Sequence, residues 1–146
     1  MPGGEPDRIL VVGGGSWGTA LANLLAGAGH EVTIWARESE VVDAINRERE
    51  NTAYLPGITL SGDLSATGDL AGGVEGASVL VSAVPTQHAG SVWSEVVPVV
   101  SGDATIVTVS KGIEIGSHRT PSAILSDTIG RADRIVALSG PSFARE

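Results

Sequence analysis

The run Ile9-Leu10-Val11-Val12 leads directly into Gly13-Gly14-Gly15-Ser16-Trp17-Gly18 and then into Thr19-Ala20-Leu21-Ala22. An apolar strand, a glycine turn and a helix in that order leave few folds open. Gly13, Gly15 and Gly18 have the G-x-G-x-x-G spacing that dinucleotide-binding folds place between their first strand and first helix. Gly13 allows the tight turn, Gly15 leaves bare backbone for a pyrophosphate, and Gly18 lets the helix approach the sheet closely. The anion would then meet free N–H groups at the positive end of the helix dipole, next to the Ser16 hydroxyl. Spacing alone is a weak signal in a chain with 20 glycines among 146 residues, and its strand-to-helix setting makes it specific.

The rest of the chain continues the alternation. Arg8–Val12 reads as a buried parallel strand, and Leu21, Leu24, Leu25 and Ala28 recur at helical spacing before Gly29 as a stop. Strands are predicted at Glu31–Trp35, Leu64–Thr67, Ser78–Val84, Thr105–Val109 and Ile135–Leu138. Helices are predicted over Ser39–Arg49, from Leu70 with Asp69 as N-cap, over Thr86–Val97, and from Thr120-Pro121 to Gly130. Asn51–Gly57, containing Tyr54-Leu55-Pro56-Gly57, reads as a loop. Residues 1–7 read as a flexible tail, and 8–146 are expected to form one α/β domain: a Rossmann-type, doubly wound, mainly parallel sheet with helices on both faces.

Charge and composition narrow the partners. A net charge of −8 argues against nucleic acid and anionic membranes, so an anionic ligand must be held by local geometry and a few placed cations. The absence of cysteine excludes disulfides and thiolate chemistry. With no signal peptide and no membrane-length apolar run, a cytoplasmic protein without metal is expected.

In open sheets of this kind ligands bind beyond the carboxyl ends of the strands. The unusual residues fall there: the glycines after the first strand, Arg37 after the second, Pro85 to His88, Lys111, and Gly140 to Ser142 after the last. An Arg at the second strand end accommodates the 2′-phosphate of NADP, whereas an acid there takes the ribose hydroxyls of NAD. Arg37, with Glu38 beside it, points to NADP(H) and leaves NAD(H) open; the plainer reading is a solvated arginine. Lys111 is the only lysine among nine basic residues. Its compact ammonium suits donation to an oxygen that gains negative charge, against the plain reading of a loop lysine in water. Trp17 reads as a wall for a cofactor or as packing on the sheet edge. His88 reads as a nicotinamide contact or a solvated helix start, and His30 and His118 as structural or exposed.

With these residues assembled, the sequence resembles the N-terminal domain of the bacterial NAD(P)-dependent glycerol-3-phosphate dehydrogenases. The resemblance is carried by Gly13 to Ala22, Trp35-Ala36-Arg37, Asn51 through Gly57, Ala83-Val84-Pro85, Ser110-Lys111-Gly112-Ile113-Glu114 and Leu138-Ser139-Gly140-Pro141-Ser142-Phe143-Ala144-Arg145-Glu146. It implies hydride transfer between a nicotinamide and C2 of dihydroxyacetone phosphate, giving sn-glycerol 3-phosphate for phospholipid synthesis. It also implies cofactor contacts at Ser16, Trp17, Arg37, Pro85 and Ala144, a shared cofactor and substrate contact at Lys111, and substrate contacts at Gly140 and Ser142. The family continues into a helical domain that supplies a second, acid–base lysine, and this chain stops at Glu146. The resemblance therefore implies cofactor binding with little or no turnover, and leaves a homodimer open for the full-length enzyme. Gly14 stands where alanine is commoner, an exchange expected to be harmless. Two other readings stay open: a stand-alone NAD(P)-binding or sensing module, and a cofactor domain of a 6-phosphogluconate or ketopantoate reductase type.

Overall fold

The computed structural model describes residues 4–139. Six parallel strands form one sheet in the order β3-β2-β1-β4-β5-β6, comprising β1 (Arg8–Val12), β2 (Glu31–Trp35), β3 (Leu64–Thr67), β4 (Val79–Ser82), β5 (Thr105–Thr108) and β6 (Ile135–Ala137). This order places the direction reversal between β1 and β4, which pair from Ile9 with Val79 to Val12 with Ser82. The crevice that opens there, above the strand ends, is where such sheets take ligands.

Strands buried on both faces read as continuous apolar runs because each face meets its own helices. One layer packs Leu10, Val12, Leu80 and Ile106 against Trp93, Ile124 and Leu125, and the other packs Ile9, Val11, Ile34 and Val81 against Ala22, Ala26, Val41 and Ile45. The helices are α1 (Ser16–Gly27), α2 (Ser39–Asp43), α3 (Leu70–Val74), α4 (Thr86–Ser94) and α5 (Pro121–Ile129). Their ends follow the sequence: the Asp69 side chain accepts from Gly72 N at α3, Thr120 accepts from Ala123 N at α5, and Gly130 ends α5 in the left-handed region. No helix among the described residues is long and apolar enough to cross a membrane.

Two expectations change. The leucines that recur along α1 divide: Leu24 is 69% exposed, Leu21 and Leu25 pack partly buried against the core, and the fully buried positions on the sheet are Gly18, Thr19, Ala22 and Ala26. A helix this close to the strands has room only for small side chains. The helix predicted over residues 39–49 is shorter as an α-helix, because its second half, Ala44–Glu48, widens into a π-helical turn and Arg49 takes a positive φ of 57°. That turn places two side chains on the free edge of β3. Asn46 donates to Ala66 O at 2.9 Å and accepts from Ala66 N at 2.8 Å, and Arg49 donates to Leu64 O at 2.7 Å.

The start of the described chain is tied down at Asp7. Its N–H donates to His30 Nδ1 at 3.2 Å, and its carbonyl accepts from Glu31 N at 3.0 Å.

Candidate functional site

The turn after β1 is fixed by contact. A Cβ added at Gly18 would lie 2.2 Å from Gly13 O, and one at Gly13, whose φ is +123°, would lie 2.7 Å from Ala83 O. Both glycines are therefore required by the protein's own backbone. Gly15 differs: its φ of −75° suits any residue, and an added Cβ would meet nothing within 4 Å. Nothing among the described residues asks for glycine at 15, but the space above it is the cavity. Gly14 is more constrained than expected, since its Cβ would come 2.9 Å from Ala36 Cβ. Alanine there would push on the strand that carries Arg37.

Gly15 is also the N-cap of α1, without a side-chain cap and with no acidic residue in the first turn. The first N–H groups of a helix have no intrahelical partner, so this end offers donors to an anion. They open into a cavity of about 700 Å³ lined by the glycine turn, Trp17, Arg37, Glu38, Tyr54, Pro85, His88, Val109 and Lys111. That volume lies within the ~300–1,000 Å³ of small-molecule and cofactor sites. Val84, Val92 and Val109 supply apolar wall, and Trp17 is 54% exposed, so it is not packing on the sheet edge.

Sequence-derived candidates converge here. Ser16, Trp17, Arg37, Pro85, His88 and Lys111 share this one cavity with Gly13, Gly15 and Gly18. Among the described residues no carboxylate is within ion-pair distance of Arg37 or Lys111. The Ser16 hydroxyl is not free as expected, since it donates to Tyr54 O at 2.5 Å. A second cavity of about 670 Å³ adjoins the first, and Trp17, Ser110 and Lys111 belong to both. Its other wall is Thr120, Pro121, Ala137, Leu138 and Ser139. Gly140, Ser142 and Ala144 lie outside the described residues. His30 and His118 line neither cavity.

Residues treated only as loop prove to be structural parts of the site. Asn51 is fully buried, and its amide donates to Gly14 O and to Thr19 Oγ1, both at 2.8 Å, while its side-chain oxygen accepts from Tyr54 N. The loop is thereby fastened to the glycine turn. Tyr54 then donates its hydroxyl to Glu38 Oε1 at 2.9 Å, and this hydrogen bond is the main cause of a phenol pKa above its ordinary value. An asparagine just ahead of a Pro-Gly turn was the available signal, because asparagine readily bonds neighbouring backbone.

The loop carrying Lys111 is clasped from α4. Thr86 Oγ1 donates to Lys111 O at 2.7 Å, Gln87 Nε2 donates to Ile113 O at 3.0 Å, and Gln87 Oε1 accepts from Ile115 N at 2.9 Å. The first turn of α4 therefore sets where the ammonium stands.

Comparison with known proteins agrees with this geometry. The chain is 45% identical over 140 residues to a glycerol-3-phosphate dehydrogenase [NAD(P)+] of Nitratidesulfovibrio vulgaris, covering 95% of this chain and 42% of that protein. The corresponding protein of Streptomyces avermitilis is 43% identical over 143 residues, covering 97% and 42%. The chain thus spans well under half the length of these relatives. The crystal structure of the Coxiella burnetii glycerol-3-phosphate dehydrogenase superposes with a TM-score of 0.83 at 32% identity, covering 94% of this chain and 42% of that one. The yeast enzyme superposes with a TM-score of 0.85 at 28% identity, covering 95% and 43%. A 2-dehydropantoate 2-reductase structure from Enterococcus faecalis, at 14% identity and a TM-score of 0.66, shares the fold alone. Residues 8–146 match the family model described as NAD-dependent glycerol-3-phosphate dehydrogenase N-terminus, and the chain belongs to that family.

Proposed function

We propose that residues 8–146 are the NADP(H)-binding domain of a cytoplasmic oxidoreductase that interconverts dihydroxyacetone phosphate and sn-glycerol 3-phosphate for phospholipid synthesis. NAD(H) is the second cofactor in this reading, and a homodimer is its assembly. The observation that carries the proposal is Gly15, a glycine that no neighbour among the described residues requires, set at the uncapped start of α1 beneath a cavity of cofactor size.

Each residue has a role in this reading. The glycine turn and the first N–H groups of α1 hold the pyrophosphate, Arg37 pairs with the 2′-phosphate, and Trp17 and Pro85 wall the cofactor, with Ala144 a further contact. The nicotinamide, when bound, exchanges a hydride with C2 of the substrate. Lys111, shared by the two adjoining cavities, donates to cofactor and substrate oxygens where negative charge develops. Gly140 and Ser142, which follow Ser139 in the sequence, are substrate contacts in this reading.

Titration of the chain with NADPH and NADH, read by Trp17 fluorescence, tests the cofactor assignment. Arg37→Asp is expected to weaken NADPH by about 1.5–3 kcal/mol, the size of a charge-assisted contact, and to spare NADH. Equal losses for the two cofactors would remove Arg37 from the 2′-phosphate.

A further inference from the structure

Arg37 is followed directly by an acid, and the pair poses a problem for a phosphate ligand. Both residues line the cavity and both are exposed. A free Glu38 carboxylate next to the guanidinium would neutralise it, and would repel any phosphate that approached it. The structure shows a different arrangement. Glu38 Oε1 accepts from the Tyr54 hydroxyl at 2.9 Å, and no Arg37–Glu38 ion pair forms.

Tyr54 is well placed to impose this. Its N–H donates to Asn51 Oδ1 at 3.1 Å and its carbonyl accepts from Ser16 Oγ at 2.5 Å, so its backbone is anchored to the buried Asn51 and to the glycine turn. Glu38 has extended backbone, with φ −79° and ψ 120°, just ahead of α2. The carboxylate therefore projects from a short connector, and the phenol reaches it from a fixed loop.

We propose that Tyr54 is a positioning residue for cofactor choice: by holding the Glu38 carboxylate it leaves the Arg37 guanidinium free for the 2′-phosphate of NADP(H). The inference rests on the reading of Arg37 as the 2′-phosphate ligand. It adds a residue outside the strand end to the determinants of specificity. A carboxylate that would otherwise favour NAD is kept out of that role by a hydrogen bond from a loop distant in sequence.

Titration of the chain and four variants with NADPH and NADH tests it: Tyr54→Phe, Glu38→Gln, the double variant, and Arg37→Gln. Tyr54→Phe keeps the ring and removes only the donor, and thermal melts confirm that the fold is retained. The expected result is about a three- to tenfold weaker NADPH complex, the range of one net hydrogen bond, with NADH changed less than about twofold. Glu38→Gln removes the competing charge, so adding Tyr54→Phe to it should bring no further selective loss. A Tyr54→Phe loss that is equal for both cofactors, or that persists undiminished in the Glu38→Gln background, overturns the proposal. Arg37→Gln separates the two failures. If it selectively weakens NADPH while Tyr54→Phe does not, only the role of Tyr54 falls; if it shows no selectivity, the 2′-phosphate reading falls and takes this inference with it.

Discussion

On the β1 side of the cavity the backbone is packed so closely that single atoms decide what fits, whereas on the β5 side residues 109–119 form an open loop held by hydrogen bonds. Gly13 and Gly18 leave less than 3 Å for a Cβ, and Gly14 little more room. Around Lys111 no glycine is required by contact: Gly112 and Gly116 serve their left-handed turns, with φ of +84° and +91°, but an added Cβ at either meets nothing within 4 Å, and Ile113 and Ile115 stand exposed. The difference separates two ways of fixing a site. Steric fixing should fail abruptly, and polar fastening should loosen by degrees.

The largest effect is expected where the packing is tightest. Gly18→Ala should lower the unfolding free energy by about 1–3 kcal/mol or more, because the new Cβ meets backbone and not a flexible side chain. Urea denaturation measures it. Gly15→Ala, three residues away, should stay within about 1 kcal/mol of the parent in the same experiment. It should nevertheless weaken NADPH by about tenfold or more. A Gly15→Ala chain that binds normally would sink the cradle reading.

Asn51→Ala comes next. It leaves Gly14 O and Thr19 Oγ1 without their donor in a buried place, at a cost of about 1–3 kcal/mol in the same denaturation experiment. A change within error would mean that the loop is not fastened through this amide.

On the open side the effects should be smaller and local. Gln87→Ala removes the bonds to Ile113 O and Ile115 N, and should speed hydrogen exchange at residues 110–119 while the β1 amides are unaffected. Equal change at both places would make Gln87 a determinant of global stability.

The smallest effect concerns acid. Ser117 and Arg119 donate to the Glu114 carboxylate and hold its pKa below the ordinary 4.5. A lowered folded-state pKa gives stabilisation that is complete above the ordinary value and is lost as pH falls through the lowered one. Loop exchange should therefore rise on acidification below about pH 4.5, ahead of the β1 amides. Exchange that is flat with pH, after correction for intrinsic rates, would separate Glu114 from the loop.

Much of the frame was legible because local chemistry and global fold agree. β3 spans the predicted Leu64–Thr67, and Thr120, Pro121 and Gly130 bracket α5 as their capping chemistry dictates. The face of α1 was not legible in the same way. Hydropathy draws attention to Leu21, Leu24 and Leu25, of which Leu24 is exposed and the other two only partly buried, whereas proximity to the sheet selects Gly18, Ala22 and Ala26 for full burial, and sequence spacing carries no measure of interlayer distance. The site divides along the same line. The residues at strand ends could be placed from topology alone. Asn51 and Tyr54 act across long sequence separations, through hydrogen bonds that no local pattern encodes.

The Asn46 amide on β3 has a consequence beyond the cavity. Its paired bonds to Ala66 N and O reproduce in one side chain what a seventh strand would contribute, and Arg49 occupies the next outward carbonyl, Leu64 O. That border of the sheet is closed to strand addition. At β6, where Val136 is half exposed, no side chain among the described residues plays this part. Exposed strand edges are templates for pairing with another chain. A sheet sealed along one border can be extended only along the other, so edge-to-edge pairing of two copies would end with the pair and could not propagate into a fibre.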